Sequence, residues 1–234
     1  MPGARSGGKV RPVSFREYRR RLPSRSAVQV VIWWIGVRTV VRVIFRMLYR
    51  LRCLDRNLIP PTGPVIFVSN HQSHLDPLIA GCHLGPFAPL ARTTLFDIPF
   101  WGWALGQLGG VALAREKSDV GALRAAIKVL KAGGRVLIFP EGTRTRDGEM
   151  GPFLPGMLVL VRRTGAAIVP MAVEGARDVW PAGRGRPKLR GRIGVVTGEP
   201  ISARELLADG REAALDRLRR TIETMRDGLR SRLA

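Results

Sequence analysis

The stretch PVIFVSNHQSHLDPLIAGCHL, residues 64–84, decides how the rest of the chain is read. Its first part, Pro64 to Ser69, is a short apolar, β-branched run, the composition of a buried strand. Its last part opens as a helix, with Asp76 at the N-cap and Pro77 at the first helical position. Between them lies NHQSHLD, which holds two of the chain's three histidines. His71 and Asp76 are five apart, out of register for one helical face. They meet if His71 ends a strand and Asp76 starts a helix. A carboxylate on one imidazole nitrogen fixes the tautomer, leaves the other nitrogen as a base and stabilises the imidazolium that forms. The same spacing also suits a plainer arrangement, in which Asp76 only caps its helix and His71 closes a polar turn.

Further along, RVLIFP, AAIVPMAV and RIGVVTGEP read as buried strands, and SDVGALRAAIKVLKAGG as an amphipathic helix stopped by Gly133 and Gly134. FLPGMLVLVRRT has helical periodicity. Ser202 to Glu205 form a capping box before the helical run REAALDRLRRTIETMRDGLRSRL. Strands alternating with helices predict one α/β domain with a mostly parallel central sheet covered by helices, from residue 57 to 234. In such sheets chemistry gathers where strands end. A second loop of that kind is PEGTRTRDG, where Glu141, Gly142, Thr143 and Arg144 follow a strand. A glycine-containing backbone, a hydroxyl and a guanidinium are parts that bind a phosphate, although a hydrophilic turn has the same composition. It is not a nucleotide P-loop, because Gly-x4-Gly-Lys-Ser/Thr occurs nowhere.

The net charge is +21, and its placement says more than its size. Residues 1–56 carry 14 basic and 2 acidic side chains, residues 57–176 carry 11 and 8, and the rest 14 and 8. The excess sits at the ends, above all the first, and calls for an anionic partner. Cys53 and Cys82 are too few for a disulfide framework, which fits a reducing compartment. Residues 1–26 are basic and broken by Pro and Gly, a leader expected to be disordered. Ala27 to Val37 are apolar for too short a distance to span a bilayer. A signal peptide is disfavoured by the long leader and the lack of a small-x-small cleavage site. Arg38, Arg42, Arg46 and Arg50 then recur every four residues, a cationic stripe on a helix otherwise filled by Val40, Val41, Val43, Ile44, Phe45, Met47, Leu48 and Leu51. With Trp33 and Trp34 at headgroup level, residues 27–56 form a basic amphipathic helical segment that lies in an anionic membrane surface. An ordinary packed helix with a solvated basic face is the alternative.

NHQSHLD followed some 70 residues later by FPEGTRTRDG resembles the phospholipid/glycerol acyltransferase family, in particular the 1-acylglycerol-3-phosphate (lysophosphatidic acid) acyltransferases. The resemblance runs from about Leu54 to Pro200. LDRNLIPPTGPVIFVSNH is similar to the family's approach to its first block, and ARTTLFDIPFWGWALGQLGGVALAR to its second. GMLVLVRRTGAAIVPMAV is similar to the stretch bearing its fourth, around Ile168, Val169 and Pro170. The resemblance implies that His71 is the general base and Asp76 its partner. It implies that Gly142, Arg144 and Arg115 hold the acceptor's phosphate, with Glu141 and Thr143 shaping that loop. The acyl group would come from acyl-CoA or acyl carrier protein as cosubstrate, without a further cofactor, at the cytoplasmic face of the membrane as a peripheral or monotopic protein. Direct attack needs no acyl-enzyme, so Ser73, Cys53 and Cys82 are not nucleophiles. His83, Trp101 and Trp103 are structural or lipid-touching in this reading. The chain departs from the family with Arg92 and Pro155 where lysine is frequent, and with no acidic residue before Arg115. Another acceptor therefore stays open: a lyso-ornithine lipid, another lysophospholipid or glycerol 3-phosphate.

Two rivals rest on less. His71, His74, Asp76 and His83 lie within 13 residues, but their spacing places no three of them on one helical face, so no metal site is expected. Nucleic-acid binding rests on charge alone, without aromatic-basic interleaving, and is not expected.

Overall fold

The apolar runs of the sequence become the middle of a sheet. The computed structural model describes residues 27–84, 87–92, 111–113, 119–208 and 210–233. Its strands are β1 (Arg52–Leu54), β2 (Val65–Ser69), β3 (Ala88–Arg92), β4 (Val111–Leu113), β5 (Arg135–Ile138), β6 (Ala167–Glu174) and β7 (Gly194–Thr197), in the order β1-β7-β6-β2-β5-β3-β4. The helices are α1 (Ala27–Ile32), a π-helical stretch (Trp33–Val41), α2 (Arg42–Tyr49), α3 (Asp76–Leu84), α4 (Asp119–Lys131), α5 (Gly156–Thr164), α6 (Ala176–Val179), α7 (Ala203–Leu207) and α8 (Arg211–Leu233). The basic leader of residues 1–26 and Arg115, Trp101 and Trp103 lie outside the described residues.

β2 sits centrally, parallel to β5 on one side and β6 on the other. β7 pairs antiparallel with β6, and β1 pairs parallel with β7. The sheet is therefore mixed, with β1 and β7 running against the rest. A buried apolar run carries no mark of strand direction, which is why the sequence predicted only a mostly parallel sheet. Side chains alternate across the sheet. Val65 and Phe67 join the core under α2, α3 and α6, while Ile66 and Val68 join the core under α4, α5 and α8.

The domain begins earlier than residue 57. β1 is an edge strand of the sheet, and Phe45, Tyr49 and Leu51 are buried in the first core. The helix ends at Tyr49 because Arg50 takes a left-handed conformation, φ 47°. Arg50 thus leaves the stripe of Arg38, Arg42 and Arg46. Val41, Phe45 and Tyr49 turn to the domain, whereas Val40, Val43, Ile44, Met47 and Leu48 stay exposed, Met47 at 77%. No helix of the described residues is long and apolar enough to cross a membrane.

Candidate active site

Because β2 and β5 are parallel neighbours in register (Val68 opposite Ile138), the loops that follow them leave the same edge of the sheet. NHQSHLD follows β2 and FPEGTRTRDG follows β5. Asn70 fastens the first loop: its amide donates to Val173 O at 2.9 Å and its Oδ1 accepts from Val173 N at 2.8 Å. A backbone-like pair made by a side chain extends the β2–β6 ladder one step and sets the direction in which residue 71 leaves.

Asp76 organises the turn. Its Oδ2 accepts from Gln72 N at 2.6 Å and Ser73 N at 2.7 Å, and lies 2.7 Å from His71 Nδ1. The carboxylate therefore reaches back toward the histidine instead of forward into its own helix, and the capping arrangement is not what forms. Asp76 is fully buried and the His71 side chain is 19% exposed. With Nδ1 held by the acid, Nε2 is the nitrogen left to take a proton. Phe139 stacks on the imidazole, ring centroids 4.1 Å apart and planes 18° apart, which fixes the ring's plane.

The second loop clasps the backbone of the same histidine. Glu141 Oε1 accepts from His71 N at 2.7 Å, Thr145 N donates to His71 O at 2.9 Å, and Glu141 Oε2 accepts from Gly151 N at 3.1 Å. Burial raises the pKa of Glu141, and the two backbone N–H groups partly offset that. With both oxygens turned to backbone donors, Glu141 shapes the loop. Gly142 has φ 67°, and a Cβ there would meet Leu154 Cδ1 at 2.8 Å, so the turn excludes a side chain on both counts. Thr143 is exposed and Arg144 half-buried. Asp147 closes the loop by accepting from Thr145 Oγ1 and Glu149 N, each at 2.9 Å, and these donors lower its pKa.

His74, the other histidine of the turn, packs its ring 5.0 Å from Trp180. Burial lowers its pKa to about 4, helped by the Arg144 guanidinium and by His71. Arg144 thus lies close enough to act on His74, which stays neutral at neutral pH. His83 is elsewhere, buried with Nε2 2.5 Å from Thr197 Oγ1 and its pKa held well down by burial. Among the described residues no three His, Cys, Asp or Glu side chains are grouped to hold a metal ion. Burial pushes Cys82 up to about 12 and also raises Cys53, which keeps both as thiols. Ser73 Oγ donates to Trp180 O at 2.7 Å.

The Acyltransferase family model matches residues 50–174. The chain belongs to that family. The chain is 37% identical over 148 residues to the chloroplast 1-acyl-sn-glycerol-3-phosphate acyltransferase of Arabidopsis thaliana, a match covering 62% of this chain and 41% of that one. It is 34% identical over 188 residues to the 1-acyl-sn-glycerol-3-phosphate acyltransferase of Pseudomonas aeruginosa, covering 78% and 71%. The chain thus spans less than half the length of the chloroplast relative. The crystal structure of the 1-acyl-sn-glycerophosphate (LPA) acyltransferase PlsC from Thermotoga maritima superposes with a TM-score of 0.70 at 28% identity, covering 90% of this chain and 82% of that one.

Of the residues expected at the site, the structure brings together His71, Asp76, Glu141 and Arg144. Several others that the sequence reading passed over complete it. Gln72 Nε2 donates to Glu174 Oε2 at 3.3 Å, and the nearly buried Arg226 of α8 lies 3.7 Å from the same carboxylate oxygen while donating to Gly148 O at 2.8 Å. Arg226 so links the end of β6 to the second loop. The only sequence signal for this is an arginine in step with the apolar positions Leu218, Ile222 and Leu229 of an amphipathic helix, and its partners lie too far off in sequence to be read from it.

Proposed function

We propose that the acyltransferase moves a fatty acyl group from acyl-CoA or acyl carrier protein to the free hydroxyl of 1-acyl-sn-glycerol 3-phosphate, yielding phosphatidic acid. The observation that carries this reading is the 2.7 Å contact of His71 Nδ1 with buried Asp76, beside the loop that bears Arg144. His71 Nε2 takes the hydroxyl proton as the acceptor oxygen attacks the thioester carbonyl. The buried carboxylate stabilises the imidazolium that results. Collapse of the tetrahedral intermediate breaks the C–S bond, and the departing thiolate recovers the proton from His71. No acyl-enzyme is required, in keeping with the protonated thiols of Cys53 and Cys82 and the engaged Ser73 hydroxyl. Arg144 and the backbone around Gly142 hold the acceptor's phosphate, joined by Arg115; the two catalytic-loop anchors, Glu141 and Thr145, keep that phosphate at a fixed distance from the base.

The acceptor and product are membrane lipids, so the acyltransferase works at the cytoplasmic face as a peripheral or monotopic protein, its exposed apolar side chains on α2 in the interface and Arg42 and Arg46 against anionic headgroups. The test is to supply the purified chain with labelled acyl-CoA or acyl carrier protein and a panel of lyso-acceptors, and to identify the product. Labelled phosphatidic acid formed in preference to other lipids supports the reading; product only from a lyso-acceptor without a phosphomonoester refutes it.

A further inference from the structure

Between α6 and β7 the chain runs GRGRPKLRGR, residues 183–192, with Arg184, Arg186, Lys188, Arg190 and Arg192 at every second position and no acidic residue. All five cations are exposed. Leu189, set among them, is exposed to 75%. A bare leucine within a dense cationic loop is a poor match for water and a good one for a surface that is apolar inside and anionic outside.

Both ends of this loop are tied to places that matter. At its start, Trp180 Nε1 donates to Arg184 O at 2.7 Å, while Trp180 O accepts from Ser73 Oγ and its ring packs on His74, both in the turn that carries His71. At its end, Gly191 N donates to Leu48 O at 3.3 Å and Ile193 N to Tyr49 O at 2.9 Å, both on α2. From this second end the cationic surface continues onto α2. Arg50, Arg52, Arg192 and Arg232 line a cavity of about 220 Å³, and Arg42, Arg46, Arg50 and Arg52 line another of about 400 Å³. Arg52 and Arg192 also donate to the carbonyls of Arg232 and Leu233 at the end of α8. Those two have a structural duty; Arg184, Arg186, Lys188 and Arg190 are available to a partner.

We propose that residues 184–190 form a second membrane-docking element, which with α2 seats the acyltransferase on an anionic phospholipid bilayer and, through Trp180, orients the His71 turn toward it. Charge fits any polyanion, but the exposed Leu189 of the loop and the exposed Met47, Ile44 and Val43 of the helix to which the loop is tied fit only one with an apolar layer. The inference rests on the acceptor being a membrane lipid. The loop spans the distance between the surface where that lipid resides and the turn where it reacts.

The full chain and an Arg184→Gln/Arg186→Gln/Lys188→Gln/Arg190→Gln variant are sedimented with vesicles of phosphatidylcholine mixed with phosphatidylglycerol, and with phosphatidylcholine alone. The expected result is a loss of affinity for the anionic vesicles on the order of 100-fold, with acyl transfer to a water-soluble short-chain acceptor unchanged. Equal affinity of the two proteins for anionic vesicles overturns the proposal, as does equal binding of the unsubstituted chain to phosphatidylcholine alone. Retained vesicle binding with loss of RNA binding overturns it in favour of a nucleic acid. A second measurement stands if the variant does not fold: Leu189→Cys carrying an environment-sensitive dye shifts to the blue on anionic vesicles, against the unsubstituted labelled chain, and an unshifted emission overturns the proposal. Absence of acyl transfer to the soluble acceptor by the unsubstituted chain would count against the proposed reaction, not against docking.

Discussion

Glu141 Oε1 accepts the backbone N–H of His71 at 2.7 Å across 70 residues of sequence. The turn that carries His71 and the loop that carries Arg144 are therefore one mechanical unit, closed on its other side by Thr145 N on His71 O. Replacing Glu141 by alanine leaves the N–H groups of His71 and Gly151 without their acceptors, at about 1–3 kcal/mol each where buried. Because the same change frees the backbone of the base, turnover should fall by about tenfold or more as well. Urea unfolding and steady-state rates measured on one preparation check this. Lowered stability with kcat untouched would make the clasp a structural strut only.

Asp76→Asn tests the acid behind the base. His71, Gln72 and Ser73 all meet one oxygen, Oδ2, which an amide oxygen can replace, but the neutral amide does not stabilise the imidazolium. The expected loss in kcat is about 10²–10⁴-fold. A variant that unfolds more easily but turns over at the original rate would restore the capping role that the geometry argues against.

Arg144→Ala should act mainly on the phosphorylated acceptor. Its KM is expected to rise on the order of 10-fold or more, the acyl donor's KM little. An acceptor KM that does not move contradicts the phosphate role.

Acid should destabilise the fold through its histidines. The pKa of His74 is lowered to about 4 and that of His83 lies well below its usual value. Between that range and the unfolded value near 6.5 the unfolded chain binds more protons, so stability rises with pH from about 4 to 6.5. Glu141, raised by burial, works in the opposite sense just above pH 4.5. Two groups outweigh one, and the thermal midpoint should fall as pH is lowered from 7 to 5. A flat profile would contradict the neutral state of these rings, and His83→Asn should remove much of the slope.

How much of this was legible beforehand depended on whether a feature was local. β2 and β5 carry short apolar runs between breakers, β6 carries a longer one broken only by Pro170, and α3 announces itself with Asp76 and Pro77. Ser202 caps α7 as the sequence implies, accepting from Glu205 N at 3.1 Å, though the Glu205 carboxylate turns to Arg217. β1 was not legible: Arg-Cys-Leu has no strand signature and becomes a strand only by pairing with β7. β3 contains Pro89, and β4 has three residues, too short for a pattern. His71 and Asp76 could be paired because the spacing suited a strand-to-helix turn. Glu141 on His71, Asn70 on Val173 and Arg226 between Glu174 and Gly148 join residues more than 50 apart in the chain, and only the assembled sheet with α8 packed on it brings them into contact.

The most direct measurement of the central claim is the rate of transfer from labelled acyl-CoA or acyl carrier protein to 1-acyl-sn-glycerol 3-phosphate by the purified chain and its His71→Ala variant, both shown by circular dichroism to be folded. With Nε2 of residue 71 as the base, the variant should lose about 10²–10⁴-fold in kcat while still binding the acceptor. Turnover within a few-fold of the unsubstituted chain would contradict the account.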